Sequence, residues 1–491
     1  MGNLSNEDLA PVPEGKRTWG AINYFSLWVG MAVCIPSYMI AASLITAGMS
    51  LLQAVSCVFL GNLIVLIPML LNGKPGAKYG IPYPVFARAS FGTLGSNIPA
   101  LLRAVVACGW FGIQTWIGGM AVMAVISSFW PGFLELPNIL PLWMGTTTAP
   151  FISFLIFWAV NVFIIIRGVQ TIKFIETASA PLLLLSGVAL LYWATSKVGS
   201  TSGGFFYGLD RLLEQPSKFK TSAEFWAVFI PSLTGMVGFW ATMSLNIPDF
   251  TRYAKNQRAQ LLGQVFGLPT TMTLFALIGV MVTNATVIIY GTAIWDPVQV
   301  IQKFDSSVVL LVSMVVITIA TLSTNVAANV VGPANDFSNA YPSKINFRRG
   351  GLLTAFIGIF MMPWKLIADP QGYIFTWLIG YSSLLGPIGG ILIADYFILR
   401  KQTLKVEDLY KKDGEYTYYK GFNFAAIFAF VIGVIPNVPG FLYQIKVLDS
   451  ISPTFKTIYS YAWFVGLPTA GIVYLVLMKL ADAKQKEVAH V

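Results

Sequence analysis

The sequence predicts an all-α polytopic membrane protein with about twelve transmembrane helices. Of its 491 residues, 56% are hydrophobic and only 11% are charged, and the mean hydropathy is +0.70. A soluble protein carries about 25% charged residues, so this chain lacks the charge to cover a water-exposed surface. Its apolar stretches are close to the ~20 residues that cross a bilayer. A lipid bilayer is therefore its predicted surroundings.

The apolar stretches follow one another between a polar N-terminal tail, 1–21, and a C-terminal tail, 481–491. The segment 73–93 is predicted to be a loop with at most a short surface helix, and the long third stretch can tilt in the bilayer. In chain order, the approximate spans are 22–47, 51–72, 94–127, 149–167, 172–195, 223–246, 260–288, 306–332, 350–368, 373–399, 421–443 and 457–480.

Two of these spans contain helix-breaking residues in matching positions. The first includes Pro36 within residues 33–37, and the sixth includes Pro231, Gly235 and Gly238. A proline inside a helix removes a hydrogen bond and clashes with the preceding turn. In lipid, freed backbone groups persist only where they line a cavity or are buried in protein. Paired broken helices of this kind indicate a binding site at the midplane of a secondary transporter.

Twelve spans with breaks in the first and the sixth predict an inverted five-plus-five repeat, followed by two extra helices. The single transporter domain would cover 22–480, with repeat one at about 22–195 and repeat two at about 223–399. The extra helices would occupy about 421–480. In such folds the substrate and ion sites lie where the broken helices meet their neighbours.

The basic residues predict the orientation of the chain. With the N-terminus in the cytoplasm, 23 of the 31 lysines and arginines fall on the inner side and 8 on the outer side. The positive-inside rule therefore places both termini in the cytoplasm. We expect a multi-pass protein of the plasma membrane. The basic residues are scattered among hydrophobic spans, so we expect no nucleic-acid partner.

Several function classes are disfavoured. The three cysteines lie in apolar stretches and imply no disulfide framework, and the only histidine is His490. No zinc cluster or histidine-based triad can be assembled, so we expect neither an enzyme nor a bound cofactor. A channel or a non-transporting sensor of the same fold stays open, although the short tail after Leu480 argues against a signalling domain.

The third, sixth and eighth spans carry the candidate binding residues. Trp110 and Gln114 are four residues apart and share a helix face, which suits a flat ring with C=O and N–H groups. Trp240 would supply a second aromatic face opposite Trp110. Alternatively, Trp110 faces lipid, Gln114 packs between helices and Trp240 is an ordinary packing aromatic. The eighth span carries the polar residues Ser323, Thr324, Asn325 and Asn329.

These polar residues are costly in hydrocarbon unless their hydrogen bonds are met, and the alternative to a functional contact is a role in holding helices together. No acidic side chain lies near the middle of the first, third, sixth or eighth span, which favours an uncharged substrate. Sodium would then be held by neutral oxygens, such as the hydroxyls of Ser323 and Thr324 and carbonyls freed near Val33. Alternatively, both hydroxyls bond back to their own helix.

Longer motifs resemble the nucleobase:cation symporter-1 family, whose members include permeases for uracil, cytosine, allantoin and hydantoins. The resemblance runs from about Lys16 to the last span, and the N-terminal stretch looks most like bacterial allantoin permeases. Its most specific motifs are Asn246–Arg252, Ser323–Asn329, Met362–Trp364, Gly386–Pro387, Ala394–Phe397, Asp408–Tyr410 and Gly421–Asn423.

The resemblance implies a leucine-transporter-type fold of twelve helices and a set of site residues. The stacking tryptophans would be Trp110 and Trp240, and the hydrogen-bonding amides Gln114 and Asn329. The sodium site would comprise carbonyls of Gly30, Val33 and Ala320 and the hydroxyls of Ser323 and Thr324.

Two cavity positions depart from the relatives. Cys34 stands where similar transporters carry an amide, and a thiol is a weak donor and acceptor. Phe239 is bulkier than its counterpart in the hydantoin transporter. The chain is thus expected to import a neutral nitrogen heterocycle, of the nucleobase, allantoin or hydantoin type, by cation symport. Sodium is the favoured coupling ion, and proton coupling is the alternative.

Overall fold

The computed structural model describes residues 4–167, 169–200, 203–304 and 306–489, and regular structure there is helical. The first three residues of the predicted N-terminal tail and the last two of the C-terminal tail lie outside this range. The α-helices are α1 (Ala21–Ala32), α2 (Ile35–Thr46), α3 (Leu51–Tyr79), α4 (Tyr83–Phe91), α5 (Asn97–Phe129), α6 (Thr148–Arg167), α7 (Val169–Gly199), α8 (Phe205–Leu213), α9 (Ser222–Phe239), α10 (Ala241–Asn246), α11 (Pro248–Thr251), α12 (Gln257–Tyr290), α13 (Pro297–Ile301), α14 (Ser307–Ala340), α15 (Phe347–Phe360), α16 (Pro363–Leu366), α17 (Ile379–Ile393), α18 (Phe424–Val434), α19 (Val438–Gln444), α20 (Pro453–Ser460) and α21 (Ala462–Ala489).

Shorter turns complete the helical elements. π-Helical segments, Gly372–Leu378 and Ala394–Leu399, extend α17 at both ends into one long span. The 3-10 helices are Glu14–Lys16, Pro131–Phe133, Leu142–Met144, Val406–Tyr410, Glu415–Thr417 and Ile435–Asn437.

The predicted all-α membrane fold is confirmed. Among the described residues, eight helical segments are long and apolar enough to cross a bilayer, or nine when the bent pair α1 and α2 counts as one span. The other three predicted spans coincide with α7, with α9 and α10, and with α15 and α16. β-Structure in the described ranges consists of two isolated bridges, which form no sheet.

Local sequence explains where several helices begin and end. Ser50 caps α3 by accepting from the N–H of Gln53, whose side chain accepts from the Ser50 N–H in return. This reciprocal arrangement satisfies two N–H groups that a helix start leaves without partners. At the other end of α3, Gly80 has a φ of 73°, a left-handed conformation that glycine adopts at little cost.

The expectation of a loop or surface helix over 73–93 is wrong. Helix α3 continues to Tyr79, and all nine residues of α4 are buried. The guanidinium of Arg88 in α4 donates to Asn339 and to the main-chain carbonyls of Leu409 and Leu4. These acceptors come from distant parts of the chain, so a segment with a surface-like composition can be interior because its charge is hydrogen-bonded.

Both predicted helix breaks are present, but the second lies later than the sequence indicated. Helices α1 and α2 meet at a 60° bend around Val33 and Cys34. Helix α9 instead continues through Pro231 and Gly235 and ends at Phe239, so the interruption falls at Trp240.

The glycine next to the second break has a packing role that explains the difference. A Cβ on Gly238 would lie 2.2 Å from the Ser382 hydroxyl oxygen and 2.8 Å from the Leu378 carbonyl oxygen. Gly238 therefore allows α9 to approach the long span built around α17, and the helix remains intact there. The two breaks and the helices α5 and α14, which pack along each other, enclose the candidate site.

Candidate functional site

The first break releases the backbone carbonyls that the sequence assigned to an ion. In a continuous helix the N–H of Cys34 would donate to Gly30 O, and the N–H of Ser37 to Val33 O. Here the Cys34 N–H donates to Ala32 O at 3.0 Å, and the Ser37 N–H donates to Cys34 O at 3.1 Å. The carbonyls of Gly30 and Val33 therefore both lose the donor that an unbroken helix would give them.

Helix α14 brings a hydroxyl to one of these carbonyls. Thr324 Oγ1 lies 3.5 Å from Gly30 O and 3.2 Å from Ala320 O, one turn back in its own helix. Ser323 is buried and makes no side-chain hydrogen bond within the described part of the chain. Carbonyl and hydroxyl oxygens are ligands that hard cations prefer, so the neighbouring oxygens of Gly30, Ala320 and Thr324 are of a type that suits a sodium ion. The Thr324 bond to Ala320 also matches the alternative, a hydroxyl bonded to its own helix.

All six predicted substrate residues border one small cavity beside this group of oxygens. Its volume is about 30 Å³. A water molecule needs about 10–15 Å³ of such space, so in this conformation the cavity holds about two or three waters. Its walls are formed by Met31, Cys34, Pro36, Trp110, Gln114, Phe239, Trp240, Thr242, Met243, Thr324, Ala328 and Asn329.

Phe239 packs against both of the predicted stacking tryptophans. Its ring centroid lies 5.1 Å from that of Trp110 and 5.0 Å from that of Trp240, with edge-to-face geometry in both pairs. Trp240 also packs edge-to-face against Trp28, with ring centroids 5.0 Å apart and an interplanar angle of 90°. Within the described residues no ring contact joins Trp110 directly to Trp240. Phe239 therefore contacts the same two rings on which a substrate ring is predicted to stack.

A second aromatic group, on the long span around α17, packs against Trp110. Tyr373, Trp377 and Tyr381 all contact Trp110 edge-to-face, with centroids 6.0–6.4 Å away. The hydroxyl of Tyr381 donates to Gly238 O at 2.8 Å, next to the second break. This span thus packs against both the third predicted span and the sixth.

The polar atoms of the cavity walls include unpaired groups. Gln114 Oε1 and Trp240 Nε1 are buried without a hydrogen-bond partner in the described residues. Buried polar atoms are paired in the great majority of cases, so unpaired ones at a cavity indicate a place for a ligand or water. None of the lining residues carries a carboxylate, an amine, a guanidinium or an imidazole. The cavity therefore suits a neutral molecule with hydrogen-bonding edges.

Cys34 faces the cavity as a weak polar group. Its sulfur lies 3.2 Å from the Ser37 hydroxyl oxygen, and either atom can be the donor. Sequence reasoning also missed several lining residues, among them Thr242 and Ala328. The direction in which the Thr242 side chain points depends on where the second break falls. Ala328 has an apolar methyl side chain, which gives no sign of a binding role.

Known proteins with similar sequences are permeases. The family model described as a permease for cytosine/purines, uracil, thiamine and allantoin matches residues 11–466. The chain is 44% identical to the purine-uracil permease NCS1 of Arabidopsis thaliana, over 99% of this chain and 80% of the relative. It is 41% identical to the allantoin permease of Bacillus subtilis, over 97% of this chain and 94% of the relative.

A solved structure shares the fold. Mhp1, a nucleobase-cation-symport-1 family transporter in a closed conformation with bromovinylhydantoin bound, matches with a TM-score of 0.75 and 24% identity. The match covers 98% of this chain and 96% of that one. With the family model, the two permeases and this fold in agreement, the chain belongs to the nucleobase:cation symporter-1 family of membrane transporters.

Proposed function

We propose that this protein is a secondary active transporter that imports a neutral nitrogen heterocycle together with a sodium ion. The observation that carries the proposal is the uncharged cavity at the two helix breaks, whose walls contain aromatic rings and the unpaired Gln114 Oε1 and Trp240 Nε1. Allantoin, uracil and hydantoin are the first substrates to test, because similar proteins carry those names or contain such a ligand.

In this proposal Trp110 and Trp240 stack on the ring, and Gln114 and Asn329 bond its C=O and N–H edge. Cys34 and Phe239 set the shape of the cavity at the two breaks. Phe239, whose ring packs against both tryptophans, would move aside for the transported ring. The rocking of one repeat against the other would then give alternating access to the two sides of the membrane.

Sodium would bind where α1 ends against α14. Its ligands would be the carbonyl oxygens of Gly30, Val33 and Ala320 and the hydroxyl oxygens of Ser323 and Thr324. The lost helical donors at Gly30 and Val33 support this assignment, and so does the approach of Thr324 to Gly30. An ion there would hold α1 against α14 and so preserve the cavity beside it.

The deciding experiment is uptake of labelled uracil, allantoin and hydantoin into proteoliposomes. We expect accumulation under an inward sodium gradient, with choline as the replacement cation, and little uptake without it. Uptake that ignores sodium but follows an inward proton gradient would favour proton coupling. Equilibration without accumulation would indicate a channel, and binding without uptake would indicate a sensor; either result would overturn the proposed transport activity.

The proposed location is the plasma membrane, with both termini and the 400–420 loop in the cytoplasm. The uneven distribution of basic residues supports this orientation. Single cysteines at Lys412 and at Ser200 would test it with a membrane-impermeant maleimide, and the native cysteines are all buried. Ser200→Cys should react on intact cells and Lys412→Cys only after permeabilisation; the reverse pattern would contradict the orientation.

A further inference from the structure

A chain of amide side chains runs from the cavity into the helices behind it. Asn329 Nδ2 donates to Asn325 Oδ1, and Asn325 Nδ2 donates to Asn161 Oδ1, both at 3.1 Å. Asn161 Nδ2 donates in turn to the main-chain oxygen of Phe157 at 2.8 Å. The three asparagines are all buried, and among them Asn329 alone lines the cavity. The amide chain therefore links a cavity wall to the backbone of α6.

Neighbouring acceptor oxygens fix which way the side-chain amides of Asn325 and Asn161 face. Asn325 Nδ2 lies 3.2 Å from Phe111 O and 3.0 Å from the Thr115 hydroxyl oxygen. That hydroxyl already donates to Phe111 O at 2.7 Å, so it can only accept from Asn325. Reversing the Asn325 amide would place its oxygen against three oxygen atoms. Asn161 is held in the same way at Phe157.

The orientation of Asn329 follows from its neighbour. The oxygen and nitrogen of an amide are assigned through the hydrogen bonds around them. Because Asn325 offers only its oxygen, Asn329 turns its nitrogen to it and keeps Oδ1 for a ligand. Gln114 differs, since it makes no side-chain hydrogen bond in the described ranges and its Oε1 is buried and unpaired. One cavity amide is held in a single orientation, and the other is able to reverse.

We propose that Asn325, braced by Asn161 and Thr115, is a positioning residue that makes Asn329 a fixed hydrogen-bond acceptor. The transported ring must then present an N–H to Asn329, whereas Gln114 meets either a C=O or an N–H. This inference rests on the proposed function, because it requires a ring in this cavity. A methyl group on the matching ring nitrogen removes the donor and leaves Asn329 Oδ1 unpaired, a loss of roughly tenfold in affinity.

The test is competition binding to the purified full-length protein, with labelled uracil and labelled hydantoin as probes. The competitors are each ring and its two singly N-methylated derivatives. We expect the wild type to bind one methylated derivative at least roughly tenfold more weakly than the parent ring. In Asn325→Ala the Asn329 amide is free to reverse, so that ratio should fall to about threefold or less.

The ratio of the affinities for the parent ring and its methylated derivative distinguishes a positioning role of Asn325 from a merely structural one. If Asn325 only supports the fold, Asn325→Ala weakens every competitor by the same factor and the ratio stays, which would overturn the proposal. So would a wild type that tolerates methylation at every ring nitrogen. If Asn325→Ala is not monodisperse, the double variant Asn161→Leu, Asn325→Leu replaces the amide pair with apolar groups of similar size, and the same ratio decides.

A matched control comes from α6 itself. Ser153 is buried and its hydroxyl donates to Ala149 O at 3.0 Å, with no bond to the amide chain. Ser153→Ala should keep the wild-type ratio, and a fall there would contradict the assignment to Asn325. Wild-type protein that binds none of uracil, hydantoin and allantoin, with sodium or at acidic pH, would instead overturn the proposed function.

Discussion

The break between α1 and α2 and the break at Trp240 border the same cavity but present different chemistry to it. At the first break, two backbone carbonyls lose their helical donors and a threonine of α14 approaches one of them. At the second, the side chains of Phe239 and Trp240 form the wall. Freed carbonyls suit a cation, and ring faces suit a flat neutral molecule. Substitutions at each break can show whether ion and ring are divided between the two breaks in this way.

The largest effect is expected at the second break. Trp240→Ala removes one face of the proposed sandwich, and stacking of a base on an aromatic ring contributes roughly 1–3 kcal/mol. The affinity for the substrate ring should therefore fall about ten- to a hundredfold. Trp110→Ala should lower it by a similar factor. The measurement is equilibrium binding of labelled uracil or hydantoin. Trp226→Ala, on α9 before the break and 52% exposed, is the control and should bind as wild type does. Wild-type affinity in both cavity variants would rule out stacking.

A somewhat smaller effect is expected at the first break. Thr324→Ala removes a hydroxyl beside Gly30 O, so sodium should no longer raise ring affinity, whereas the sodium-free affinity should change little. Coupling between two ligands is typically about 5- to 150-fold and is the same in both directions. Sodium titrations of ring affinity, at fixed pH and ionic strength, measure it.

Thr318→Ala is the matched control for Thr324. The Thr318 hydroxyl also bonds one turn back in α14, to Met314 O at 2.7 Å, but it makes no bond to α1. Sodium dependence should survive in Thr318→Ala. If the two threonine variants behave identically, Thr324 is a hydroxyl that serves only its own helix, and the first break loses its assigned ion.

A change of several fold is expected from Phe239→Ala. The variant opens the space between the tryptophans, so a two-ring purine should gain affinity relative to uracil by roughly three- to tenfold, in line with about 0.8 kcal/mol per buried CH₂. The readout is the purine-to-uracil ratio in competition binding. Phe229→Ala, also buried on α9, tests for a general loosening of that helix. An unchanged ratio would mean that Phe239 does not limit the size of the ring.

The fold was largely predictable because apolar length and proline placement are local signals. The position of α4 was not, since Arg88 is satisfied by acceptors that lie far away in the chain. Similarly, Pro231 and Gly235 suggested an earlier second break, but α9 keeps its helical course through both residues. Whether a glycine ends a helix or admits a neighbouring helix depends on packing that only the tertiary structure shows.

In the candidate site, too, some features were predictable from local sequence and others depended on the tertiary fold. Trp110 and Gln114 were found from their spacing on one helix, and the structure places both at the cavity. The bond between Asn325 and Asn161 joins residues 164 positions apart, so no local pattern reveals it. Thr242 was missed because its facing depends on a break displaced from the predicted glycines. Local spacing therefore identified individual wall residues, whereas the bonds that orient them required the fold.

The smallest effect is expected from a glycine at the first break, and it sharpens the contrast with the second. A Cβ on Gly30 would have no atom within 4 Å. Since alanine favours a helix by about 1 kcal/mol over glycine, Gly30→Ala should leave the melting temperature unchanged or slightly raised. The Gly30 carbonyl remains, so sodium dependence and ring affinity should also keep their wild-type values.

Gly238→Ala should instead lower the melting temperature, because its Cβ would collide with Ser382 and Leu378. Thermal unfolding of both variants in detergent, with and without sodium, makes the comparison. A loss of sodium dependence in Gly30→Ala would show that the first break acts through the space at Gly30, and not through its freed carbonyl.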